Sequence, residues 1–202
     1  MRIGVLADIH ECTDRLRQAI HVLRGAGADA YVVLGDTADT CQEIDATAGL
    51  LRDVGAVGVW GNHDISLCRD VDSDVAARLA PETLTFMGSL EAQIVLDDCL
   101  FTHVEPWLDP FDVAHLWYFD GRPDTPEKLA RSFQAVPQRR ILIGHFHRWL
   151  AATPRGVLDW SGGSVLSLDP ADRYLIVVGG VCDGRFAILD TAADRLVPYA
   201  LG

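Results

Sequence analysis

Five short stretches of this 202-residue chain put metal-binding side chains directly at the ends of hydrophobic runs. Asp8-Ile9-His10 closes the run that starts at Arg2. Gly35-Asp36-Thr37-Ala38-Asp39 follows Tyr31–Leu34, and Gly61-Asn62-His63-Asp64 follows Ala56–Trp60. His103 ends the run from Cys99, and Gly144-His145-Phe146-His147 follows Ile141–Ile143. Imidazole and carboxylate together suit zinc, iron, manganese or nickel, whereas all-oxygen sites suit magnesium or calcium better. A carboxylate can bridge two ions, and an Asn carbonyl oxygen can bind one without adding charge. Asp8, His10, Asp36, Asn62, His103, His145 and His147 are too many for one tetrahedral ion. They suit two ions that share a carboxylate and keep positions open for water and substrate. Taken singly, each cluster reads as a turn after a strand; it is the five together that point to a site.

The elements that must position these residues follow from periodicity. Arg2–Asp8, Tyr31–Leu34 and Ala56–Trp60 read as buried strands. Thr13–Arg24 has Leu16, Ala19, Ile20 and Leu23 at helical spacing, and Ile44–Val54 reads as a second helix. This β-α-β-α-β opening is the pattern of a parallel sheet, in which ligands bind beyond the carboxyl ends of the strands. The first three clusters should therefore converge on one sheet edge. Further along, a short helix starts at Pro81 and ends near Met87. Ala92–Leu96 and Cys99–His103 read as a hairpin about Asp97-Asp98, Val104–Thr125 as a loop, and Pro126–Ala135 as a helix. Ile141–Ile143, Gly156–Trp160, Leu175–Val178 and Arg185–Asp190 read as strands. No repeat, low-complexity tract or linker interrupts the chain, so a single domain over 1–202 is expected.

Composition bounds the function. Hydrophobic residues are 49% and charged residues 23%, the balance of a folded protein. A net charge of −12 repels nucleic-acid backbones, so extended nucleic acid is not an expected partner. No apolar run is long enough to span a bilayer, and the start carries no basic segment followed by an apolar one, so neither a membrane span nor a leader is expected. The five cysteines are widely spaced without a C-x-x-C pair, which points to a reducing, cytoplasmic setting.

The ordered series D-x-H, G-D-x-x-D, G-N-H-D, a lone His and G-H-x-H resembles the calcineurin-like metallophosphoesterases. Its tail from Val177 to Asp190, and Pro81–Leu90, are similar to the small bacterial phosphodiesterases of that family. The resemblance implies a four-layer α/β/β/α sandwich of two mixed sheets, with a dinuclear metal site at strand carboxyl ends. It implies that Asp8, His10 and His147 bind one divalent ion, that Asn62, His103 and His145 bind the other, and that Asp36 bridges them. Manganese is the first choice, with iron, zinc, nickel or magnesium as alternatives. His63 would face the substrate as general acid, with Asp64 orienting its ring. Two departures stand out: Glu11-Cys12 where many relatives have Gly-Asn, and Val104 where many have Gly.

The function expected is hydrolysis of phosphodiesters of small molecules or nucleotides by a hydroxide bridging the two metals. A phosphomonoesterase, protein phosphatases included, and a non-catalytic scaffold on the same fold are the alternatives. The partner expected is a phosphate ester; homo-oligomerisation is left open. Val104–Phe119 is expected to wall the substrate pocket. Asp39 reads as a residue behind the ligands or a helix cap, and His21 and Arg148 as surface. His115 reads as loop packing.

Overall fold

The structure, a computed structural model, describes residues 1–202. The strands in chain order are β1 (Arg2–Leu6), β2 (Ala30–Leu34), β3 (Val57–Val59), β4 (Gln93–Leu96), β5 (Cys99–Thr102), β6 (Arg140–Ile143), β7 (Leu150–Thr153), β8 (Gly156–Val157), β9 (Leu166–Ser167), β10 (Tyr174–Val177), β11 (Arg185–Asp190) and β12 (Arg195–Ala200). The helices are α1 (Thr13–Gly25), α2 (Ile44–Asp53), α3 (Ile65–Cys68), α4 (Ser73–Ala76), α5 (Pro81–Met87), α6 (Val113–Leu116) and α7 (Pro126–Ala135). A 3₁₀ turn at Val181–Asp183 leads into β11.

The strands form two six-stranded mixed sheets, ordered β3-β2-β1-β11-β12-β9 and β4-β5-β6-β10-β7-β8. In the first, β1, β2 and β3 are parallel and β11 returns antiparallel beside β1. In the second, β5, β6 and β10 are parallel. The period-2 alternation of β1 divides its side chains between two cores. Ile3, Val5 and Ala7 point between the sheets, where they meet Phe101, Leu142 and Ile176. Leu6 points outward to α1, α2 and α5, packing with Leu16, Leu23, Leu51 and Met87. On the other outer face α7 lays Leu129 and Phe133 over Ile141, Ile143 and Leu175. The result is the four-layer α/β/β/α sandwich. Helices this short are marginal alone, and it is burial, about 1.5–3 kcal/mol per large aliphatic side chain, that holds them.

Several sequence expectations are refined. Asp97 and Asp98 both have positive φ (51° and 58°), the backbone of a tight two-residue hairpin loop joining β4 to β5. The strand expected at Gly156–Trp160 pairs only over Gly156–Val157. Short elements not foreseen are α3, α4, α6, β7, β9 and β12. The last contains Pro198 opposite Ala187 of β11. Its other neighbour, β9, pairs only with Arg195 and Leu196, so Pro198 lies where the strand is an edge and a missing N–H costs no ladder bond.

Candidate metal centre

The carboxyl ends of β1, β2 and β3 meet those of β5 and β6, and all seven expected ligands gather there. Asp36 lies between two groups of them. On one side its Oδ2 is 3.6 Å from His10 Nε2. His10 Nε2 is in turn 3.1 Å from His147 Nε2, and Asp8 Oδ1 is 3.8 Å from that same His147 nitrogen. On the other side Asp36 Oδ2 is 3.4 Å from His103 Nε2. Asn62 Oδ1 lies 3.0 Å from His103 Nε2 and 3.1 Å from His145 Nδ1.

The backbone is bent to make this convergence. Five of the seven ligands, Asp8, His10, Asp36, His145 and His147, have φ between 46° and 67°. That left-handed region costs an L-residue about 1–2 kcal/mol, and such strain gathers at functional sites. Two glycines allow the closest approaches. A Cβ on Gly61 would sit 2.1 Å from Asp36 Oδ1, and one on Gly35, whose φ is +86°, would sit 2.6 Å from His103 Nδ1.

Glu11, one of the departures, also has positive φ, 54°, where many relatives have glycine. Its carboxylate accepts four backbone N–H bonds. Oε1 takes those of Asp39 and Cys41 at 2.8 and 2.7 Å, and Oε2 those of Gln42 and Glu43 at 2.9 and 2.8 Å. Burial alone would raise the Glu11 pKa, but these four donors hold it below the usual range. Glu11 therefore fixes the loop that leads from Asp36 into α2. Val104, the other departure, is fully buried and packs in the outer core with Leu108 and Leu116, turned away from the ligands.

Two further roles differ from expectation. Asp64 does not orient His63. Its carboxylate is fully buried and accepts the N–H groups of Thr37, Ala38 and Gly61 at 3.1, 2.8 and 3.0 Å, tying the β2 and β3 loops together. The carboxylate facing the ring is that of Asp39, with Oδ1 3.8 Å from His63 Nδ1. Asp39 is thus no helix cap; Glu43 occupies that position of α2. Cys182 is half-buried, with its Sγ 3.3 Å from His147 Nδ1, the nitrogen turned away from His10. His63 and Cys182 also fall within 4.8 Å groups of ligand atoms with His10. His21 and Arg148 are exposed, and His115 Nδ1 accepts the Asp109 N–H at 3.0 Å, a loop contact.

The electrostatics suit a cation. Burial pushes the Asp8 carboxyl up to about 7, with Asp36 adding repulsion and His103 opposing it. Burial works against charge on Asp36 as well, but His103, the N–H of His63 and His10 outweigh it and hold the carboxyl far below the usual range. Burial likewise opposes charge on His103, yet Asp36 and Asp8 hold it up at about 9. Burial and the neighbouring His103 push His145 down to about 4. His103 Nδ1–H donates to Leu34 O at 2.7 Å, which turns Nε2 to the centre, where a cation would replace its proton. Asp8 Oδ2 is buried without any hydrogen-bond partner, and two imidazole nitrogens face each other at 3.1 Å. Groups of this kind are costly unless something positive is shared between them. The residues present fit divalent cations.

Asp, His and Asn side chains at the carboxyl ends of strands in a double-sheet sandwich form a donor set that could hold metal ions. Residues 1–184 match the model of the calcineurin-like phosphoesterase superfamily domain, and the chain belongs to this family of metal-dependent phosphoric ester hydrolases. Among solved structures it resembles a metallophosphoesterase from Sphaerobacter thermophilus, at 23% identity and a TM-score of 0.79, over 100% of this chain and 88% of that one. An archaeal phosphodiesterase is similar at 15% identity and a TM-score of 0.59, over 100% of both chains. The phosphoesterase Yfce of E. coli is similar at 16% identity and 0.51, also over 100% of both. No curated protein matches the sequence. No helix is long and apolar enough to cross a membrane.

Proposed function

We propose that the chain is a two-metal phosphodiesterase, one metallophosphoesterase domain over residues 1–202, acting on phosphodiesters of small molecules or nucleotides. The observation that carries this reading is the approach of ligand atoms to Asp36 Oδ2 from two sides, at 3.6 Å from His10 and 3.4 Å from His103. Asp8, His10 and His147 would hold one divalent cation, Asn62, His103 and His145 the other, and Asp36 both. Manganese is the first choice for this imidazole–carboxylate set, with iron, zinc, nickel and magnesium as alternatives. Bound there, such ions supply Lewis-acid polarisation of a phosphoryl oxygen and a lowered pKa for the attacking water.

The chain's own residues supply the rest. His63 is held by rings on two sides, His10 at 4.9 Å and Trp117 at 5.0 Å between centroids. With Nδ1 facing Asp39, its Nε2 is free to donate a proton to the leaving oxygen. Asp64 and Glu11 hold the loops that carry Asn62, His63 and Asp39. Two features favour a diester over a monoester. A cavity of about 600 Å³ opens beside Asn62 and His63, with room for a second ester group. The residues around the ligands are acidic, Asp39 and Asp183 among them, which suits a phosphate of lower charge. The likeness to an archaeal phosphodiesterase agrees with this reading.

The test is turnover of bis-p-nitrophenyl phosphate and p-nitrophenyl phosphate by manganese-loaded protein. The diester should be the better substrate, and chelation should abolish both rates. A preference for the monoester would support the phosphatase reading, and no turnover of either would support a scaffold.

A further inference from the structure

The cavity beside His63 has a chemistry of its own. It is bounded by His63, Ile65, Arg69, Phe111, Val113 and Trp117. The loop over it exposes apolar surface: Phe111 is 56% exposed, Val113 53% and Trp117 54%. Large apolar side chains clustered in the open mark a binding surface rather than ordinary exposure. Trp117 is the ring against His63, so a group leaving toward His63 Nε2 would pass onto this aromatic wall.

At the far end of the cavity lies a cation. The Arg69 guanidinium rests 4.9 Å from the Phe111 ring centre and 5.8 Å from that of Trp60. Trp60 is itself fixed, its Nε1–H donating to Pro110 O at 3.0 Å. Asp70 lines the same cavity, on a backbone with φ of 52°, yet Arg69 makes no ion pair with it or with any other carboxylate. A guanidinium held on ring faces keeps its edge donors free for an anion, and bidentate pairing with carboxylate or phosphate is what that group does best.

We infer that this cavity is the leaving-group subsite, and that it selects diesters whose leaving group joins a planar ring to a second anion, as a nucleotide does. The ring lies against Trp117 and Phe111, and the anion pairs with Arg69. The inference rests on the reading of His63 as the acid that faces the leaving oxygen.

Two methyl aryl phosphodiesters test it, one releasing 4-nitrophenol and the other 5-hydroxy-2-nitrobenzoate, which differ by a carboxylate on the leaving ring. Arg69→Gln should lower kcat/KM on the carboxylate-bearing diester by about 10-fold or more, the scale of a hydrogen bond to a charged group. It should lower it markedly less on the neutral ring. Phe111→Ala should lower both. Comparing each variant with wild type on the same ester cancels the intrinsic reactivity of the two phenols. Equal losses on both esters with Arg69→Gln would overturn the assignment. A second measurement needs no turnover: equilibrium dialysis of the two free phenols against manganese-loaded protein. The carboxylate-bearing ring should bind more tightly, and Arg69→Gln should remove that preference while metal content stays the same. Binding of neither ring, or a preference that survives in Arg69→Gln, would refute the subsite. Arg69-dependent binding in a protein that turns over neither diester would uphold the subsite and refute the proposed function instead.

Discussion

Replacing Glu11 should reveal how much of this site depends on a single buried carboxylate. In the structure it accepts four backbone N–H groups from residues 39, 41, 42 and 43. A hydrogen bond to a charged group contributes about 1.5–3 kcal/mol when its donor has no alternative. Here the loop is exposed, and water can replace part of the loss. Glu11→Ala should therefore cost about 2–4 kcal/mol in all, less than four full bonds. For a chain of this size that is a fall in Tm of about 5–15 °C. Glu11→Gln should cost nearly as much. Its carbonyl can serve one pair of donors, but its NH₂ must confront the other pair. Glu11→Gly separates the two contributions. It loses the same bonds but relieves a φ of 54°, so it should be more stable than Glu11→Ala by about 1 kcal/mol. Because the folded pKa of Glu11 is depressed, its contribution is present above the unfolded pKa and is lost as pH falls through the folded one. The assay is calorimetric melting near neutral pH, repeated in acid, where the variants should converge on wild type. A Glu11→Gln protein within about 1 °C of wild type, or an Ala variant as stable as the Gly variant, would refute the reasoning.

Three further outcomes are expected. His63→Ala should keep its metals and lose about 10²–10⁴-fold in rate on alkyl diesters but clearly less on p-nitrophenyl esters, whose leaving group barely needs a proton; equal losses would show that the ring orients the phosphate. Gly61→Ala should cost about 100-fold in turnover while leaving the fold intact by circular dichroism, because a Cβ there displaces Asp36; near-normal turnover would contradict the close packing of Asp36. Chelated protein should lose stability as pH rises from about 6.5 to about 9, where the unfolded chain releases the His103 proton that the folded one still holds; the raised Asp8 carboxyl adds its loss lower, between about 4 and 7, where the depressed His145 opposes it. Metal-loaded protein should show the opposite trend on the acid side, since protons compete for the ligands; parallel melting profiles with and without chelator would contradict this.

The convergence of the seven expected ligand residues is legible because they sit in short motifs at the ends of strongly apolar strands. Periodicity marks those strands, and parallel pairing makes their ends converge. What lay outside reach depended on contacts across the fold. Glu11 looked like a departure from a pattern, and nothing local says that its carboxylate meets residues 39–43. Asp64 sits next to His63 in sequence, yet its side chain turns back to three backbone amides, and Asp39 faces the ring instead. Four-residue helices such as α3 and α6 give no periodic signal, and α3 leads to Arg69 at one side of the leaving-group cavity. The strand β12 was masked by Pro198, which is tolerated only because β9 stops short of it.

The central claim is that Asp36 holds two divalent ions in one centre, and metal stoichiometry at saturation tests it most directly. Metal-free wild type and Asp36→Asn should be titrated with manganese by equilibrium dialysis, with bound metal measured by elemental analysis. The account predicts two ions per chain for wild type, and a loss of at least one, with activity, for Asp36→Asn. A single ion at saturation in wild type, or two ions with full activity in Asp36→Asn, would contradict it.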